Sequence, residues 1–87
     1  MCERYNRQSE SDVRLAMLNL LNALDRGAFT LEVMADELAQ AAVEIGDDVG
    51  AEVMLGIARR HRVKALELRG QFAAMKENYT VRFHSSL

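Results

Sequence analysis

From Asp47 to Tyr79, small and apolar residues recur at alternating spacings of three and four: Ala51, Met54, Ala58, His61, Ala65, Leu68, Phe72, Met75 and Tyr79. His61 is the one polar occupant of this seam. A helix with such a seam lies along another helix. Helical throughout, the stretch would be about 45–50 Å long at 1.5 Å per residue. Upstream, Leu31, Met34, Leu38, Ala41 and Ile45 keep the same spacing, with Ala35 and Ala42 beside them. Further upstream, Val13, Ala16, Met17, Leu20, Leu21, Ala23 and Leu24 form a wide apolar stripe. The pattern predicts three helices, at about 10–26, 30–45 and 48–79.

Punctuation sets those boundaries. Ser9 or Ser11 can cap the first helix, and Gly27 ends it in a left-handed role. Thr30 is the expected N-cap of the second, with Phe29 and Met34 spaced for a hydrophobic staple. The strongest break is Gly46-Asp47-Asp48-Val49-Gly50, where either aspartate can cap the third helix. Two glycines there argue against one rod from 31 to 78, since each costs about 1 kcal/mol in a helix interior. Gly70 is a second point where the last helix could break or kink. From Tyr79 the pattern changes to alternation, with Val81 and Phe83 between Thr80, Arg82 and His84. A lone strand there would have only a copy of itself to pair with, so 80–87 reads as an extended tail. Residues 1–9 read as a flexible lead, and 10–79 as a single helical domain.

Composition agrees with an all-α class. Eighty-seven residues contain no proline, 49% hydrophobic residues and 28% charged ones. A chain this short has a limited core, and oligomerisation is a common remedy. The single cysteine, Cys2, excludes an intrachain disulfide framework and a cysteine-based zinc site. An incidental thiol in a reducing cytoplasm is the expected reading. No apolar run approaches the roughly 20 residues that span a bilayer. Met1 to Glu10 is polar and lacks the apolar centre of a signal peptide. The expected location is therefore cytoplasmic, away from the membrane.

Charge is segregated. Residues 31–56 carry seven acids and no Lys or Arg, whereas 57–76 carry six bases and one acid, Glu67. Folding the chain at Asp48 brings positions whose numbers add to about 96 level with one another. Glu37 then meets Arg59, Asp36 meets Arg60 and Glu32 meets Lys64. The segregation becomes complementarity across an antiparallel hairpin, and it fixes register more than stability.

The run Arg59-Arg60-His61-Arg62-Val63-Lys64 concentrates four fixed positive charges. Nucleic-acid binding is not expected, because the protein carries a net charge of −2, an acidic helix would lie alongside, and no aromatics interleave for base stacking. His61 has the setting of an interfacial histidine held by a carboxylate or a backbone group. Ala58 stands three residues before His61 and Val81 three before His84, so the Glu-x-x-His pattern of carboxylate-bridged bundles is absent, and no metal is predicted. No nucleophile, phosphate loop or cofactor motif is present either, so the expectation is a non-enzyme without cofactors. The segment His61-Arg62-Val63-Lys64-Ala65 resembles the His-x-apolar-Lys-Gly core of histidine-containing phosphotransfer domains, with Ala65 in place of the glycine. That resemblance covers five residues and implies a helical bundle in which His61 carries a phosphoryl group and Lys64 stabilises its charge.

The expected fold is all-α: a short first helix, then an antiparallel hairpin with a long third helix, completed as a small bundle by dimerisation. The second helix is too short to cover Phe72, Met75 and Tyr79, so the first helix or a second chain must. Leu15 and Leu18 fall in the polar arc of the first helix; they either mark a second buried surface or stay exposed as single leucines do. The candidate interface is thus Leu15, Leu18, His61, Leu68, Phe72, Met75 and Tyr79, serving a homodimer and a further protein partner.

Overall fold

A computed structural model describes residues 2–84, with side-chain surroundings from Ser9 to His84. It contains two helices, α1 (Cys2–Ile45) and α2 (Val49–Phe83), folded back on each other as an antiparallel hairpin. The hairpin is a rod of 69 × 17 × 14 Å with a radius of gyration of 19.3 Å. A compact domain of this length would have a radius near 12 Å.

Two helices stand where three were predicted. Gly27 lies in the middle of α1, as do Phe29 and Thr30, which therefore neither staple nor cap anything. One interior glycine costs about 1 kcal/mol, which good helix formers on both sides outweigh. Gly27 also has a packing reason: a Cβ there would come within 3.3 Å of Leu68 Cδ1 on α2. The first helix is thus not short, and α1 is the longer of the two at 44 residues against 35.

The turn falls where two glycines and two aspartates predict it. Gly46 has φ +81°, which a side chain would strain, and its N–H donates to the Ala42 carbonyl at 3.1 Å. Asp48 is the N-cap of α2, extended at φ −85° and ψ 153°, with its carboxylate accepting weakly from the Gly50 N–H at 3.5 Å. Glu52 lies in the first turn, favourable for the helix dipole.

At its far end α2 runs unbroken through Gly70 and on to Phe83, where left-handed His84 caps it. Thr80–Phe83 is therefore helical rather than extended; Arg82 in the last turn suits the negative end of the dipole. Residues 85–87 lie outside the described residues. Helix α1 already begins at Cys2, so no element boundary separates 2–9 from the rest; Met1 lies outside the described residues, and the Cys2 thiol and Tyr5 ring outside the described side chains.

Between the helices the buried residues repeat every seven: Leu21, Ala28, Ala35 and Ala42 on α1, and Ala51, Ala58, Ala65 and Tyr79 on α2. Half-buried Phe72 completes the second series. Residue numbers that add to 93 come level across the hairpin, as Arg14 and Tyr79 show by their hydrogen bond. Alanine then lies level with alanine for three successive heptads. Only a methyl group stands between the two backbones at these levels, which lets the helices approach closely.

Candidate interaction surface

Seen along its length, the hairpin has two unlike flanks. On α1, the residues just to one side of the buried alanines are Val13, Met17, Leu20, Leu24, Gly27, Leu31, Met34, Leu38, Ala41 and Ile45. Ten positions keep the three–four spacing without a charge, and every one is half-buried or exposed. The approach of Leu68 to Gly27 places the Met54, His61, Leu68 and Met75 series of α2 on the same flank. These four are half-buried, as is Ile57 next to them. A shallow groove of about 340 Å³ opens here, lined by Leu20, Leu24, Gln71, Ala74, Met75 and Asn78.

The other flank is held by ions. Arg69 donates to Asp25 at 2.8 Å and to Glu32 at 2.6 Å, clamping two turns of α1 with one guanidinium. Arg62 reaches Asp36 at 3.4 Å. The Glu32 carboxylate, and after it Asp25, hold the Arg69 guanidinium above its ordinary value. The acidic helix does face the basic one, but through other partners than level alone selects. Glu37 and Arg59 are three residues out of level in this register, and no ion pair joins them among the described residues. Lys64 instead pairs with Glu67 on its own helix at 3.3 Å. Level is one coordinate of a helix pair and flank is the other.

The predicted interface residues divide between these environments. His61, Leu68 and Met75 share the apolar flank. Leu18 and Leu15 precede Asp25 and Asn22 by one heptad and so belong to the ion-paired flank; Leu18 is half-buried and Leu15 exposed. Phe72 points between the helices at the level of Leu21. Tyr79 is only 2% exposed and belongs to the hairpin's own core. Its hydroxyl accepts from Arg14 Nε at 2.7 Å, its ring lies 5.0 Å from that of Phe83, and the Arg14 guanidinium sits over both rings at 5.7 and 5.5 Å. The overhang inferred from a short second helix is thus absent: α1 is continuous and covers Tyr79 itself. The Arg14 clasp escaped sequence reading, although Arg14 stands one heptad before Leu21 in the buried series.

His61 comes level with Met34 on the apolar flank, without a carboxylate partner among the described residues. Lys64, the charge partner implied by the phosphotransfer resemblance, is engaged by Glu67. Among the described residues no three His, Cys, Asp or Glu side chains converge to hold a metal ion, and no helix is long and apolar enough to cross a membrane. Comparison with known proteins finds no match: no family model, no curated relative and no solved structure.

Proposed function

We propose that this chain is a non-enzymatic helical module that works by protein–protein contact, as an interaction or regulatory unit, and that it does so as a homodimer. One observation carries the reading: the hairpin's own core is made almost wholly of alanine. Of the eight buried hydrophobic residues described, six are alanines, while Leu20, Met34 and Ile45 remain 43%, 42% and 42% exposed. A buried methyl-sized group stabilises by about 0.8 kcal/mol. Fixing one residue's backbone costs about 1–2 kcal/mol. A two-helix rod with so thin a core gains most by burying its larger side chains against further helices. The reading places the protein in a reducing compartment such as the cytoplasm, which suits its lone cysteine.

Size-exclusion chromatography with light scattering tests the proposal. The expected mass is that of two chains at micromolar concentration, falling toward one chain on dilution. A single-chain mass throughout would refute it. Phosphotransfer through His61 is not carried further, since the imidazole faces the apolar flank and Lys64 is already paired.

A further inference from the structure

We infer that the second copy docks on the apolar flank, packing Leu20, Leu31 and Met34 of α1 and His61, Leu68 and Met75 of α2 against the same residues of its twin. The inference rests on the proposed homodimer and specifies its surface. Three observations select this flank over the other.

The first is chemistry. Ten successive seam positions on α1 carry no charge, and on α2 the same flank carries one exposed cation, Lys64, one heptad after Ile57, so covering this face desolvates at most that ion. The opposite flank carries the Asp25–Arg69–Glu32 clamp and the Asp36–Arg62 pair, whose exposed groups would lose water on burial. The second is area. Residues 13–45 of α1 run for about 50 Å at 1.5 Å per residue, and the rod is 17 Å across. The face therefore offers about 850 Å², against the roughly 800 Å² per partner of a standard stable interface. The third is exposure. No residue of the α1 seam is buried by the hairpin alone, and none is left fully in water by the neighbouring helix. Half-burial along a whole seam is what remains when a four-helix arrangement is cut into two hairpins. A second hairpin supplies the same chemistry and the same length, as an isologous contact requires.

Single charges placed on each flank separate the possibilities. Met34→Glu introduces a carboxylate within the apolar face, at a side chain already 42% exposed in the hairpin. It is expected to raise the dimer dissociation constant at least ~100-fold, the effect of losing about 2.7 kcal/mol, with far-UV circular dichroism still helical. Leu66→Glu alters a 72% exposed residue on the ion-paired flank and is expected to leave the dissociation constant within a factor of about three. Should Met34→Glu lose its helicity, Leu20→Glu, at 43% exposure, takes its place in the comparison. Dissociation by Leu66→Glu with Met34→Glu or Leu20→Glu still dimeric overturns the inference and leaves the homodimer standing. A wild-type chain that is monomeric throughout overturns both.

Discussion

Individual residues in this hairpin can be read by what a single methyl group would meet. Gly70 is helical and exposed, with nothing within 4 Å of a Cβ built on it. Gly70→Ala should therefore stabilise the protein by about 1 kcal/mol through helix propensity alone, a rise of ~4–8 °C in Tm. Gly27 has the same propensity to gain, but its new methyl would press on Leu68 at 3.3 Å. Gly27→Ala should return little or none of that rise. Thermal melts of the two variants check the pair, and equal gains at both sites would mean that the helices do not meet at Gly27.

At the scale of elements, the alanine series controls how near α1 and α2 lie. Ala35 is wholly buried and comes level with Ala58, also wholly buried. Ala35→Leu must push the backbones apart or force its own rotamer, and is expected to destabilise by about 1–3 kcal/mol in urea unfolding. A leucine tolerated there without loss would show that the helices are not in close contact. The same series explains how far the fold was legible. The turn at Gly46–Asp48, the antiparallel pairing and the seam of α2 follow from residue spacing. Fusion of the two predicted upstream helices was legible too, had phase been traced through Gly27. Leu24, Gly27 and Leu31 keep the three–four spacing without a skip, which a true helix break seldom preserves. A glycine read locally is a stop; read within its seam it is a seat for a neighbour. Tyr79 was misplaced for a related reason: with the upstream helix split at Gly27, the arm facing the end of α2 was too short to cover it, whereas the continuous α1 brings Arg14 across to it. His61, Leu68 and Met75 could be grouped from periodicity, whereas Leu15 and Leu18 could not be assigned a flank before the orientation of α1 was known.

The whole molecule is a slender rod whose two sides answer differently to solvent. Removing the double clamp with Arg69→Ala should lower Tm in dilute buffer. The gap from wild type should narrow as NaCl rises toward 1 M, where the screening length is about 3 Å. A gap unchanged by salt would mean that Arg69 acts through the packing of its aliphatic stem instead. The repeat of alanine against alanine has a last consequence. Shifted by one heptad, two of the three levels would again pair alanine with alanine, Ala28 with Ala58 and Ala35 with Ala51 one way, or Ala35 with Ala65 and Ala42 with Ala58 the other, so the alanine series by itself holds little memory of its alignment. Other groups keep the alignment: the Gly46–Asp48 bend at one end, the Arg14 clasp on Tyr79 and Phe83 at the other, and between them the Arg69 and Arg62 ion pairs and the seat of Leu68 at Gly27. Slacken all of these, and the arms could ratchet past each other by a heptad, like a zip that has lost its stops.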